Sequence, residues 1–172
     1  GYVSLAGAVA CPACGAGEMY NMSTGVGLCT ACPLGQYQDA EAQTSCIACV
    51  AGQYADADGQ SSCTSCEAGQ YTGDDGNWAC DICVAGRYSA SDASACSECV
   101  AGRSDDDIDA STPCSVCAIG QYSAAGWTNC TVCFAGTVDL DSDSSSECTA
   151  CKEPSLRHIF ELTRLLMCVY AG

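Results

Sequence analysis

The sequence predicts a small disulfide-rich fold: an elongated tandem array of short irregular β-hairpin units, with little helix except a possible C-terminal helix. Three observations predict it. Nineteen of the 172 residues are Cys, whereas only two are Phe and two are Trp, so bridges replace a thick apolar core. Nine Cys-x-x-Cys pairs recur at intervals of 16 to 18 residues, as in an array of stacked units. A Gly also recurs at one fixed place after each of the first eight pairs.

The spacing of the cysteine pairs divides the chain into three parts. Residues 1–10 are an N-terminal segment, residues 11–151 contain about eight tandem repeats of 16–18 residues, and residues 152–172 are a C-terminal tail. The pairs themselves begin at residues 11, 29, 46, 63, 80, 96, 114, 130 and 148. We therefore expect one structural unit per interval rather than one continuous globular core.

Each repeat carries a Gly three residues after its second Cys and, in five repeats, a Tyr two residues later. The Gly predicts a positive φ or a close approach of the backbone. In an extended strand the Tyr lies on the same face as the Gly, where it can cover a disulfide. Asp- and Gly-rich segments follow and predict turns at the tip of each hairpin. The glycines are Gly17, Gly35, Gly52, Gly69, Gly86, Gly102, Gly120 and Gly136, and the tyrosines are Tyr37, Tyr54, Tyr71, Tyr88 and Tyr122.

Three disulfide pairings are possible: within each Cys-x-x-Cys pair, interleaved between alternate pairs, or from the second Cys of one pair to the first Cys of the next. An interleaved pairing would make alternate repeats look different, and they do not. The one-repeat period favours the third pairing, which closes loops of about 15 residues, each worth roughly 3 kcal/mol in the chain-entropy model. The predicted bridges are Cys14–Cys29, Cys32–Cys46, Cys49–Cys63, Cys66–Cys80, Cys83–Cys96, Cys99–Cys114, Cys117–Cys130 and Cys133–Cys148. Cys151 and Cys168 share the repeat spacing and are expected to pair, which leaves Cys11 for a neighbouring chain.

The succession Cys-x-x-Gly-x-Tyr, a polar tip and then Cys-x-x-Cys resembles the ephrin-receptor-like cysteine-rich repeat over about residues 11–151. It is also similar to the short first loop of a tumour necrosis factor receptor module. In that receptor family the first loop is closed by the bridge favoured above. The interleaved second loop that normally follows in those receptors is absent here, so the resemblance implies a stalk more than a receptor head. Long runs of such repeats also occur in adhesive and filament-forming surface proteins.

Composition indicates a secreted, extracellular protein of the cell surface. So many evenly placed cysteines need an oxidising compartment, and Asn21 and Asn129 begin glycosylation sequons. No stretch has the length of a transmembrane helix. Residues 1–151 carry a net charge of −17, against +1 for residues 152–172. Such an acidic surface repels nucleic acid.

Metal-dependent and catalytic functions find little support in the sequence. Two adjacent Cys-x-x-Cys pairs have zinc-ribbon spacing, but nine pairs do not divide evenly among such sites. The alternation Asp139, Asp141, Asp143 is a possible calcium site, although a solvated loop is the more ordinary interpretation. The single His158 lies in the tail without a nucleophile pattern. We therefore expect no cofactor and no enzymatic activity.

The tail differs from the repeats, because apolar residues there follow a helical period. It is predicted to be an amphipathic helix that caps the last repeat or docks on another subunit, through Ile159, Phe160 and Leu166. The sequence thus predicts an extracellular structural protein, a rod-like subunit of a filament or stalk that assembles by end contacts. The alternative is a receptor or adhesin ectodomain that binds another extracellular protein along its repeats.

Overall fold

The computed structural model describes residues 13–21 and 28–151, and within these ranges all regular structure is short β-strand. Only the first two strands have four residues, whereas the other fourteen have two. The strands are β1 Glu18–Asn21, β2 Leu28–Ala31, β3 Gln36–Tyr37, β4 Ile47–Ala48, β5 Gln53–Tyr54, β6 Thr64–Ser65, β7 Gln70–Tyr71, β8 Asp81–Ile82, β9 Arg87–Tyr88, β10 Ser97–Glu98, β11 Arg103–Ser104, β12 Ser115–Val116, β13 Gln121–Tyr122, β14 Thr131–Val132, β15 Thr137–Val138 and β16 Thr149–Ala150.

Consecutive strands pair into eight antiparallel hairpins, which confirms the predicted array of hairpin units. In the hairpin β5–β6, Gln53 lies opposite Ser65 and Tyr54 opposite Thr64. The first strand of each hairpin holds the residues just after the repeat Gly. From β4 onwards, the second strand is formed by the two residues inside a Cys-x-x-Cys pair. The recurring sequence motif is therefore also the recurring structural unit.

Disulfides join the second Cys of one pair to the first Cys of the next, the pairing that the one-repeat period favours. The structure has Cα–Cα distances of 5.3–5.9 Å across these bridges, within the usual range. The seven are Cys14–Cys29, Cys32–Cys46, Cys49–Cys63, Cys66–Cys80, Cys99–Cys114, Cys117–Cys130 and Cys133–Cys148. Cys83, Cys96 and Cys151 are disulfide-bonded as well. Cys168 and Cys11, the subjects of the remaining cysteine predictions, lie outside the described residues.

We number the repeats 1 to 8 by these loops, so that repeat 1 begins at Cys14 and repeat 8 at Cys133. Their buried positions are the opening Cys and the residue three places after the repeat Gly. Cys32, Cys49 and Cys66 are fully buried, as is Ala55. The tyrosines of the hairpins are only half-buried, because the narrow interior is filled by sulfur and small side chains.

Successive repeats are joined by main-chain hydrogen bonds. The N–H of a repeat Gly donates to the carbonyl of the buried residue in the next repeat, as Gly35 does to Ala55 at 2.9 Å and Gly52 to Thr72 at 3.0 Å. That buried residue in turn donates to a carbonyl near the tip of the following repeat. The N–H of Ala55, for example, bonds the carbonyl of Asn77 at 3.1 Å. Backbone polar groups that a small core cannot satisfy are thus paired between repeats.

The repeat Gly also contacts the tip of the repeat two places further along the chain. Gly17, Gly35 and Gly52 all have positive φ, and a Cβ on any of them would clash with a tip carbonyl. Those carbonyls belong to Gly59, Gly76 and Asp92 respectively. The tip residues have positive φ themselves. The Gly in the sequence motif therefore meets both demands that Gly serves, a left-handed backbone and a close approach.

The chain divides into two compact units, and the division falls inside repeat 5. The first unit is Gly1–Ile82 with Ser89–Cys96, and the second is Cys83–Tyr88 with Ser97–Gly172. The tip of repeat 5 joins the first unit because Asp92 bonds the carbonyl of Cys66 at 3.0 Å. Gly86 joins the second unit because the Asp105 carboxylate accepts its N–H at 2.8 Å.

Candidate functional site: acidic tips and an exposed apolar row

Two tip carboxylates bind the backbone of the preceding repeat. Asp58 Oδ1 accepts the N–H of Leu34 at 3.1 Å, and Asp75 Oδ1 accepts the N–H of Ala51 at 2.9 Å. Each Asp immediately precedes the tip Gly of its repeat. Its hydrogen bond therefore fixes that tip against the preceding repeat. These carboxylates do more than keep the surface soluble, because each adds a charged acceptor to a contact between repeats.

The tips of repeats 6 and 8 are acidic loops that share one hydrogen-bonding pattern. In repeat 8, Asp141 accepts the N–H of Asp143 at 3.1 Å, and Asp143 accepts the N–H of Ser145 at 3.0 Å. The Ser146 hydroxyl also donates to Asp141. In repeat 6, Asp107 and Asp109 make the equivalent bonds. These are Asx turns, in which the carboxylates cap their own loop.

The hydrogen bonds of the acidic loops favour the charged form of their carboxyl groups. The N–H of Asp109 and the hydroxyl of Thr112 lower the pKa of Asp107, while the hydroxyl and N–H of Ser111 lower the pKa of Asp109. In the same way the N–H of Asp143 lowers the pKa of Asp141, and Ser145 lowers the pKa of Asp143. Hydrogen bonds to a carboxylate thus outweigh the repulsion between neighbouring acids.

The structure places the carboxyl groups of Asp139 and Asp141 side by side but does not gather all three predicted calcium ligands into one group. The carboxylates of Asp139, Asp141 and Asp143 are not gathered within 4.8 Å of one another. In the described ranges, the one such group of possible ligand atoms is that of Cys14, Glu18 and Cys29. Its two sulfurs are joined in a disulfide and therefore offer no thiolate for zinc. Asp139 Oδ1 is buried without a hydrogen-bond partner among the described residues, while the same carboxyl group lies beside that of Asp141.

An exposed apolar row lies beside the last cysteine pairs, and sequence reasoning missed it. We define the row as Val116, Ile119, Val132 and Phe134, which are 60–92% exposed. Val116 and Val132 occupy the second strands of their hairpins, whereas Ile119 and Phe134 follow the opening Cys of repeats 7 and 8. The signal was present as large apolar residues flanking those cysteines. In earlier repeats the positions equivalent to Val116 and Val132 are small at Ala48 and Ser65, but Ile82 is apolar and exposed there as well.

Asn129, one of the two predicted glycosylation sites, is exposed. It lines a shallow depression of about 330 Å³ together with Trp127 and Thr131, the latter being the hydroxyl residue of its sequon. The Trp127 ring lies 6.0 Å from that of Tyr122. Asn21 ends β1, and the remaining residues of its sequon lie outside the described residues. So do the predicted assembly residues Ile159, Phe160 and Leu166.

Residues 17–59 match the family model described as tyrosine-protein kinase ephrin type A/B receptor-like. The match begins at the Gly of repeat 1 and ends at the tip Gly of repeat 3, and the same unit continues through repeat 8. No curated protein matches the chain. Across residues 13–21 and 28–151, no helix is long and apolar enough to cross a membrane.

Proposed function

We propose that the protein is an extracellular structural protein. Its residues 17–59 match the ephrin-receptor-like family model, the same disulfide-bonded unit continues through repeat 8, and cysteine-rich repeats of this kind are typical of extracellular modules. The protein acts as a rod-like subunit of a cell-surface filament or stalk that assembles by end contacts. It has no catalytic role.

One observation carries the proposal: the recurring residues of the motif serve contacts between repeats. The repeat Gly receives a tip from two repeats further on, and the opening Cys of a repeat accepts a hydrogen bond from the next tip. Gly76, for example, donates its N–H to the carbonyl of Cys49 at 2.7 Å. Because the residues of the motif make the contacts between repeats, each added repeat lengthens the array by the same contacts.

Charge and composition favour contact at the ends over contact along the sides. Repeats of one strongly negative sign repel each other side by side, whereas the tail carries Lys152, Arg157 and Arg164 beside apolar residues. Burial of Ile159, Phe160 and Leu166 against a second subunit would supply roughly 1.5–3 kcal/mol per fully buried side chain. Because the two contacting surfaces differ, the contact is heterologous, the type of contact that builds an open filament when its rotation does not close a ring.

The test is self-assembly of the secreted, oxidised full chain. We expect light scattering to show concentration-dependent growth and negative-stain images to show linear particles. Deletion of residues 155–172 should weaken the growth while the bridges of the repeats remain. A full chain that stays monomeric at every concentration would show that the proposed function is wrong.

The alternative function, a receptor or adhesin ectodomain, is favoured by the exposed apolar row. Rows of this kind often mark surfaces that bind another protein. A chain with Val132→Ser and Phe134→Ser would lose a ligand but keep linear assembly if the two activities are separate. Loss of cell or ligand attachment in that variant, with a full chain that never polymerises, would favour the adhesin.

A further inference from the structure

The glycosylation sequon of repeat 7 plays no part in the proposed filament. It consists of Asn129, Cys130 and Thr131, of which Asn129 is exposed just before the bridge of its repeat and Thr131 begins β14. A sugar is attached to the amide nitrogen of the Asn in such a sequon, and the hydroxyl residue two places on completes the acceptor. Both residues line the same surface depression, so the structure places the two side chains that define the sequon together.

An aromatic residue lines this depression as well. Trp127 precedes Asn129 by two residues and is 39% exposed. Its ring packs on that of Tyr122 at 6.0 Å, with an angle of 44° between the rings. Tyr122 lies opposite Thr131 in the hairpin β13–β14. The Trp127 ring is thus supported from within the repeat and keeps an exposed apolar surface beside the acceptor amide.

The backbone beneath the ring is fixed by the preceding repeat. The N–H of Gly126 donates to the carbonyl of Cys99 at 2.8 Å, and the carbonyl of Trp127 accepts the N–H of Asp105 at 3.1 Å. Both partners belong to repeat 6. Because the ring is already held in place in the folded chain, a sugar that packs on it costs the protein little conformational freedom.

The tip of repeat 4 has an Asn and a Trp without this arrangement. Asn77 precedes Trp78 there, and the Asn77 Nδ2 atom donates to the carbonyl of Asp74 at 2.7 Å. The Asn129 Nδ2 atom instead donates to the hydroxyl of the adjoining Thr128 at 3.3 Å, in an exposed contact. The amide of Asn77 is therefore engaged in its own turn, whereas that of Asn129 is accessible to a sugar.

We propose that Asn129 carries an N-linked glycan whose first sugar, an N-acetylglucosamine, packs on the Trp127 ring. In the attachment step the Asn129 Nδ2 atom displaces the diphosphate of a lipid-linked oligosaccharide. A bond forms between Nδ2 and C1 of the sugar, the bond from C1 to the diphosphate oxygen breaks, and the amide gives one proton to a base of the transferase. The donor and the transferase belong to the secretory route that the disulfides require.

The bridge of repeat 7 sets the order of events. Cys130, the middle residue of the sequon, is bonded to Cys117, and Thr131 is paired with Tyr122. A transferase that binds the Asn and Thr side chains of one extended segment cannot take up this segment once it is bridged and paired. Since disulfides form over seconds to hours, the sugar is attached before Cys117–Cys130 closes. The contact with Trp127 then forms as the repeat folds.

The first experiment locates the sugar on the full unmodified chain, secreted from a eukaryotic cell line and trimmed enzymatically to a single N-acetylglucosamine. Peptide mass spectrometry should find this sugar on Asn129. NMR should show nuclear Overhauser contacts between the sugar protons and the Trp127 indole, with the sugar signals shifted by the ring current. A chain without sugar on Asn129, or a sugar without contact to that ring, would overturn the proposal.

A second experiment measures the contact by hydrogen exchange at the Gly126 amide, which is bonded to Cys99. We expect about threefold slower exchange in the trimmed chain than in Asn129→Gln, which has no sugar there, as one aromatic contact would produce. The difference should vanish in Trp127→Leu and persist in Trp127→Phe, which keeps a ring. Trp78→Leu is the matched control and should also retain it.

The folding of each variant is checked by mapping its Cys117–Cys130 bridge. A difference in exchange that is as large in Trp127→Leu as in the unmodified chain would show that the ring does not hold the sugar. If Trp127→Leu fails to form the bridge, the NMR contacts of the unmodified chain decide the question.

The order of events is tested in vitro with the transferase and a lipid-linked donor. The chain from cells in which N-glycosylation is blocked should accept sugar at Asn129 only after its disulfides are reduced. Transfer to the oxidised chain, or to neither form, would contradict the proposal. None of these measurements depends on self-assembly, so a failure of the proposed filament would leave them unchanged.

Discussion

At the scale of single residues, the acidic side chains form two groups that accept hydrogen bonds from different parts of the chain. Asp58 and Asp75 hold the backbone of the preceding repeat, while Asp141 and Asp143 cap the turns of their own loop. Nothing in composition distinguishes the two groups. Sequence position does, because the holding Asp stands directly before a tip Gly.

Replacing Asp75 should loosen one contact between repeats. In Asp75→Ala the N–H of Ala51 loses its acceptor, and a net hydrogen bond is worth about 1 kcal/mol. We expect about fivefold faster hydrogen exchange at the Ala51 amide. Asp74→Ala is the matched control, because it removes the same charge from the same tip, where Asp74 contributes only its main-chain carbonyl. Equal effects of the two variants would show that charge, not the bond, is responsible.

At the scale of the repeat, the sequence predicted the unit but not what the unit contacts. The hairpin, the bridge and the positive φ of the Gly follow from Cys spacing and from the properties of Gly. The contact across two repeats does not, because Gly17 and Gly59 are far apart in sequence and meet through a main-chain carbonyl. A carbonyl has no sequence signature. The half-buried Tyr was likewise unpredictable, since its exposure depends on how closely the next repeat approaches.

The value of that contact is measured by comparing Gly52→Ala with Gly136→Ala. Both replacements strain a left-handed backbone, at about 1–2 kcal/mol. Among the described residues, only the first places a Cβ against a carbonyl, that of Asp92, which should add about 1–3 kcal/mol. The readouts are the exchange of the Asp92 amide, bonded to Cys66, and of the Cys151 amide, bonded to Gly136. If the two variants lose equal protection, the contact across two repeats contributes nothing to stability.

At the scale of the whole molecule, the same short list of contacts is used again and again. The array is therefore the feature that the sequence predicts best, because the spacing of Cys and Gly recurs in every repeat while the other residues of the repeats vary. The apolar row was not predicted, since it depends on which faces of the last repeats are left exposed. The exposure of a face depends on the neighbours that a repeat has in space, whereas a repeat pattern describes only the features that all units share.

The bridges have a mechanical consequence, because the seven whose partners both lie in the described residues each close a loop within a single repeat. Under tension, an oxidised chain that has lost all its other contacts still passes from Cys32 to Cys46 across one bridge, a Cα–Cα distance of 5.7 Å. Only the three peptide steps to Cys49 can then straighten, so each repeat reaches about 16 Å, against about 58 Å for the reduced chain. Force-extension curves should therefore show a tether with a short fixed limit, which lengthens about threefold to fourfold once a reductant is added. An oxidised chain that stretched as far as the reduced one would contradict this arrangement of bridges. A cell-surface appendage made of such repeats would therefore extend only a short distance under tension while its disulfides are intact.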